Sequence, residues 1–153
     1  MISETSWQSD VVDYITTTRF AVLGYVREDR TPLLRSMGSF ALSGFNLYFS
    51  SGKEAPKVRE IEKNPQVSFF FEHDNQNLET WKSVLISGRA KLLISGTEYD
   101  NAIELLGDRN PRFRERVAKG ELVNTAIFKI KTEEIEYLDY SKGFGTVNKY
   151  KLS

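Results

Sequence analysis

Between positions 35 and 57 the chain gathers side chains well suited to holding an anion. Arg35 lies midway along an apolar run, 32–40, that reads as a strand, where a charged group must face solvent or an opposite charge. Ser50 and Ser51 end the next strand and offer hydroxyl and amide donors. Gly52 follows and lets the backbone turn sharply. A helix begins soon after, with Pro56 in its first turn, where a missing N–H costs nothing. Helix N-termini carry free N–H groups and a partial positive charge. Lys57 in that first turn is therefore disfavoured unless an anion offsets the repulsion, and a phosphate is the natural occupant. Each feature also has an ordinary explanation. Ser-Ser-Gly is common turn chemistry, and an exposed first-turn lysine costs only about a few tenths of a kcal/mol. On the residues alone, the anion site and the plain turn stand side by side.

The rest of the composition narrows the chemistry. The 153 residues include no cysteine, which excludes disulfides, thiol nucleophiles and cysteine-ligated metal clusters. The single histidine, His73, cannot make a histidine-rich metal site and reads as a solvated loop residue. Any redox chemistry must then sit on a bound cofactor. Lys plus Arg equals Asp plus Glu at 21 each, which argues against a nucleic-acid partner gripped by a broad basic face. No apolar run approaches the roughly 20 residues of a membrane span, and the polar, acidic start is unlike a secretory signal. A cytoplasmic protein is expected. Gly143-Phe144-Gly145 is a lone G-x-G without the strand–turn–helix setting of a dinucleotide site. The glutamates at 133, 134 and 136 and the arginines at 112, 114 and 116 read as solvated faces.

These residues need a scaffold, and the periodicity supplies a β-rich one. At 40% hydrophobic and 27% charged residues, the chain fits a single globular domain over 1–153. Ten Phe and seven Tyr, many in alternating stretches, favour strands. A short helix is expected at 9–17, capped by Ser9 or Asp10. Strands follow at 20–27, 32–40 and 45–51, then the helix 55–63, stopped by Asn64-Pro65. Strand 67–71 and a polar loop, 73–80, lead to the longest strand, 82–94. There Val84, Ile86, Gly88 and Ala90 alternate with Leu85, Ser87, Arg89 and Lys91. Thr97 opens a helix that Gly107 can close, Asn110-Pro111 opens another ending near Gly120, and 126–138 gives a last strand interrupted around Thr132. The tail from Tyr140 has no clear assignment. Antiparallel hairpins joined by one short helix suggest a mainly β (α+β) fold, a six-stranded antiparallel split β-barrel of Greek-key type with short flanking helices.

Several pieces, in order, resemble one family. They are Leu34-Arg35-Ser36-Met37, then Leu47-Tyr48-Phe49-Ser50-Ser51, then Lys57 with Ile61-Glu62-Lys63-Asn64-Pro65-Gln66-Val67, and finally Val84 to Ala90. Over about 11–138 the chain is similar to the FMN-binding split barrels related to pyridoxamine 5′-phosphate oxidase, especially the short general-stress-protein type. The resemblance implies FMN as cofactor, with Arg35 and Lys57 on its phosphate, joined by Ser50 and Ser51. It implies that the backbone at Ser36 and Met37 lies along the flavin ring. It also implies a homodimer in which Ser83 reaches the flavin of the second subunit, with Trp81 beside it either covering the ring or making an edge or dimer contact. Ala55 and Pro56 depart from the family pattern before the lysine, so one phosphate contact is lost, for which Lys53 could substitute. Ser83 is shorter than the glutamine of true pyridoxamine-phosphate oxidases, and the tail lacks their Trp and Arg-x-x-Pro segment. A pyridoxal-phosphate synthase is thus not expected. The expectation is an FMN-dependent oxidoreductase acting on a small molecule, with a nicotinamide nucleotide, NADH or NADPH, as electron donor. A non-catalytic flavin-binding stress protein and a haem-binding barrel are the alternatives, and His73 would matter in the latter.

Overall fold

The alternation of large apolar residues along the strands sets the architecture. A computed structural model describes residues 2–152, with side chains described over 7–152. The elements are α1 (Ile2–Thr16), β1 (Ala21–Val26), β2 (Pro32–Met37), β3 (Phe40–Ser43), β4 (Asn46–Gly52), α2 (Pro56–Lys63), β5 (Gln66–Phe71), β6 (Lys82–Leu93), α3 (Thr97–Arg109), α4 (Pro111–Ala118), β7 (Thr125–Asp139) and β8 (Val147–Lys151). All strands belong to one eight-stranded sheet, ordered β2-β1-β5-β6-β7-β4-β3, with β8 added on β7. Every pairing is antiparallel. No described helix is long and apolar enough to cross a membrane.

The sheet curls around an aromatic interior. Phe40 meets Phe71 edge-on at 5.5 Å, and Phe49 stacks on Phe128 at 5.1 Å. Such pairs add about 0.5–1.5 kcal/mol each beyond simple burial. Helix α2 drops Val58 and Ile61 into this core, the two positions its apolar stripe predicted. A second, smaller cluster forms where α3 and α4 cover β3, β4 and β7, around Tyr48, Leu106, Phe113 and Ile127.

Eight strands replace the expected six for two reasons. The run 32–40 breaks at Gly38-Ser39 into β2 and β3, because the chain turns there under the ring of Phe20; a Cβ on Gly38 would meet that ring at 3.0 Å. The unassigned tail supplies β8, whose Lys149 and Lys151 sit opposite Glu136 and Glu134, a favourable cross-strand charge pattern. The last long strand is not interrupted at Thr132. Pairing shifts from Ser87↔Glu134 to Gly88↔Thr132, so Glu133 is the extra residue of a bulge inside one continuous β7. Gly88 is required there, since a Cβ would lie 2.2 Å from the Lys131 carbonyl oxygen.

Helix boundaries bring further corrections. Helix α1 starts at Ile2, so Ser9 and Asp10 are interior rather than caps. Gly96, not Thr97, is the N-cap of α3, and Gly107 lies inside that helix, which runs on to Arg109. Asn110 caps α4 as expected, its side-chain oxygen accepting from the Arg112 amide at 3.1 Å. His73 is not a solvated loop residue. Its ring stacks on Tyr14 at 3.8 Å, and Nε2 lies 3.1 Å from both the Tyr14 carbonyl and Thr18 Oγ1, tying α1 to the β5–β6 loop.

Candidate anion site at the open edge of the barrel

Strand β2 forms one end of the sheet and pairs only with β1, where Arg35 faces Leu23 and Ser36 faces Val22. Its other rim carries unpaired backbone groups, the property of any edge strand. Arg35 and Ser36 are exposed on it, whereas the Met37 side chain turns into the core. Among the described residues Arg35 donates only to the carbonyl of its neighbour Leu34, at 2.9 Å.

Lys57 approaches from the other side. Helix α2 begins at Pro56 behind Ala55, which makes no side-chain cap, and its first turn holds Pro56 and Lys57 but no acid. Burial first, and the Arg35 guanidinium second, hold the Lys57 ammonium below its usual value. Two cations far apart in sequence are thus in electrostatic reach of each other. Among the described residues neither takes part in an ion pair. Like charges facing an uncapped helix start are tolerable where an anion neutralises them.

Ser50 and Ser51 are ladder residues near the end of β4, opposite Ile127 and Ala126, and both are buried. The Ser50 hydroxyl lies 2.5 Å from that of Ser39, and the Ser50 amide donates to the Ser39 carbonyl at 3.2 Å. Ser51 Oγ donates to the Gly52 carbonyl at 3.1 Å. Both hydroxyls therefore have local partners; Ser51 has spent its proton on the Gly52 carbonyl, whereas in the Ser39–Ser50 pair either hydroxyl can donate. Lys53 is engaged elsewhere, its ammonium donating to the Val123 carbonyl at 3.3 Å and its amide to the Asn124 carbonyl at 2.8 Å.

Trp81 and Ser83 lie at the start of β6. The Trp81 indole donates to Glu72 at 2.8 Å, and its carbonyl accepts from the Tyr140 amide at 2.9 Å. Ser83 is buried within the chain and pairs with Leu138. Two neighbouring residues escaped the sequence reading. Ser39 was hidden inside a run read as one strand, where Gly38 was the available signal. Arg109 stacks its guanidinium 4.1 Å above the Phe40 ring, a contact between elements that no local spacing encodes.

The architecture and the sequence agree with known proteins. The family model described as pyridoxamine 5′-phosphate oxidase matches residues 8–139. No curated protein matches the chain in sequence. A conserved hypothetical protein of Mycobacterium tuberculosis superposes with a TM-score of 0.74 at 17% identity, over 88% of this chain and 86% of its own. A heme binding protein of Mycobacterium smegmatis gives 0.76 at 13% identity; the match covers 90% of this chain but only 55% of that protein. A Listeria innocua protein provisionally described as a pyridoxamine 5′-phosphate oxidase gives 0.66 at 25% identity, over 87% of this chain and 98% of its own. The family match spans most of the sequence and the curled antiparallel sheet is the split-barrel type, so the chain belongs to the pyridoxamine 5′-phosphate oxidase family.

Proposed function

We propose that the chain is an FMN-binding flavoprotein that works as a cytoplasmic homodimeric oxidoreductase on a small molecule, with NADH or NADPH as electron donor. The observation that carries the reading is that Arg35 on the edge strand acts electrostatically on Lys57 in the uncapped first turn of α2, while among the described residues neither cation is in an ion pair. A phosphate monoester fits that charge and the donor set. Arg35 and Lys57 would hold it, the backbone of Ser50 and Ser51 would border it, and the open rim of β2 at Ser36 and Met37 would lie along the ring. Bound there, FMN would supply hydride transfer at its N5 atom, leaving the protein to bind, orient and tune. Trp81 and Ser83 are proposed to meet the flavin of the second subunit.

The test is direct. The purified protein should show a two-band yellow spectrum or take up FMN on titration. Replacing both Arg35 and Lys57 by Ala should weaken FMN by about 100-fold, since hydrogen bonds to charged groups contribute about 1.5–3 kcal/mol each. Unchanged affinity would overturn the site. Turnover with NADH or NADPH no faster than free flavin would assign a carrier instead of an enzyme.

A second reading follows from the M. smegmatis neighbour, which is a heme binding protein. His73, the single histidine of the chain, already spends Nε2 on Tyr14 and Thr18 and its ring face on Tyr14. That engagement weakens it as the residue that would hold a haem. A sharp Soret band on reconstitution, lost in His73→Ala, would favour haem over flavin.

A further inference from the structure

A separate cavity of about 750 Å³ opens where the α1–β1 link meets the end of α3 and the start of α4. Its walls include Thr17, Arg19, Phe20, Ser39, Arg109 and Arg112, and among the described residues no carboxylate lines it. Three arginines from three different segments thus converge on one hollow. Among the described residues none of them forms an ion pair, whereas Arg114 and Arg116, from the same run as Arg112, are paired with Asp108 and Glu121. Glu72 and Asp74 border a neighbouring depression that shares Thr17, Arg19 and Phe20 with this one.

Arg109 is fixed in place. Its guanidinium donates to the Thr16 carbonyl at 2.8 Å and to the Thr18 carbonyl, and it lies over Phe40. Among the described residues its Nε is buried without a partner. Burial alone lowers its pKa, with no acid to compensate. The cavity is therefore electropositive by construction: one immobile cation at its wall and two adjustable ones, Arg19 and Arg112, at its exposed rim. Such convergence focuses the field on a small anion. The exposed ring of Phe20, with the Arg19 guanidinium 5.4 Å from its centroid, gives the same hollow an apolar wall.

We propose that this cavity binds a small molecule carrying a carboxylate or phosphate group, gripped by Arg19 and Arg112 in the field of Arg109, with its apolar part against Phe20. Gly38 and Ser39 directly follow Ser36 and Met37, so the bound molecule would lie beside the strand proposed to face the flavin. Naming it the substrate rests on the FMN reading; the anion site itself does not.

The test is a calorimetric titration of the flavin-free full chain carrying Arg35→Ala and Lys57→Ala, which disables the other cationic site. Phenyl phosphate and benzoate are the probes, and benzyl alcohol is the neutral control. The expected result is that at least one anion binds and the alcohol does not. Adding Arg19→Gln and Arg112→Gln should weaken that anion about 10-fold or more at unchanged Tm, while Lys119→Gln on the exposed end of α4 should not. The anion that binds tighter names the chemistry. No binding of either anion in the Arg35→Ala/Lys57→Ala chain, equal binding of the alcohol, or an affinity indifferent to Arg19 and Arg112 would each overturn the proposal. Retained anion binding in that chain, together with an unsubstituted chain that takes up no FMN, would support this site and overturn the flavin reading alone.

Discussion

The hydroxyls of Ser39 and Ser50 lie 2.5 Å apart, and the Ser50 amide donates to the Ser39 carbonyl at 3.2 Å. These two bonds fasten the corner between β2 and β3 onto the end of β4. They join the two stretches that approach the proposed phosphate, although eleven positions separate the residues. Ser50→Ala removes the side-chain bond from a buried site and should cost about 1 kcal/mol. For a chain of this length that lowers Tm by roughly 2–4 °C. Thermal unfolding should show the loss, and Ser43→Ala, at an exposed hydroxyl on β3, should leave Tm unchanged.

Lys57 titrates below its usual 10.5 because it is partly buried and faces Arg35. The unfolded chain therefore binds the proton more tightly than the folded one. Stability should rise with pH between the lowered folded value and 10.5, where the unfolded lysine is still charged and the folded one is not. Arg35→Ala removes one cause, so the Lys57 value should move back up and this pH-dependent gain should shrink. NMR titration of the Lys57 ammonium in both proteins checks the direction.

Tyr48 donates to Glu98 at 2.8 Å, and Lys129 pairs with the same carboxylate at 2.6 Å, a clasp that holds α3 on the sheet. Burial, and then Glu98, push the Tyr48 phenol up to about 12. Because the folded value is raised, its contribution to stability is complete below pH 10 and is lost as pH climbs towards 12. Glu98→Gln should bring the phenol back towards its ordinary range. Absorbance titration of the phenolate reads the shift.

Gly88→Ala should be among the most damaging single changes outside the aromatic core. The new methyl would collide with the Lys131 backbone, which cannot swing aside as a side chain could. Opening the bulge should cost about 3 kcal/mol. A fall in the denaturant midpoint at constant m-value measures it.

Local chemistry made much of the scaffold readable in advance. Pro56 and Asn64-Pro65 bracket α2 where expected, because both act through backbone constraints that no distant contact can override. On β6, Val84, Ile86, Gly88 and Ala90 are buried in alternation because the pleat enforces a period of two. What escaped depends on contacts across the chain. Gly107 continues a helix because Arg114 packs against it, and Thr132 continues a strand because Glu133 is absorbed as a bulge. In the site, the residue types at Arg35 and Lys57 were legible but their mutual reach was not. Arg109 left no signal at all, because its partners, Phe40 and the Thr16 and Thr18 carbonyls, come from distant segments.

The position of β7 in the sheet dictates an order of assembly. It lies between β6 and β4, and its Leu47↔Ile130 pairing joins residues more than half the chain apart. During synthesis, β4 and β6 emerge with their β7-facing edges bare and must wait for residues 125–139. Non-local ladders of this kind put folding in the millisecond-to-second range, and until β7 docks those two edges can recruit a neighbouring nascent chain. Slowing delivery of that one segment should therefore raise aggregation more than an equal delay placed after it.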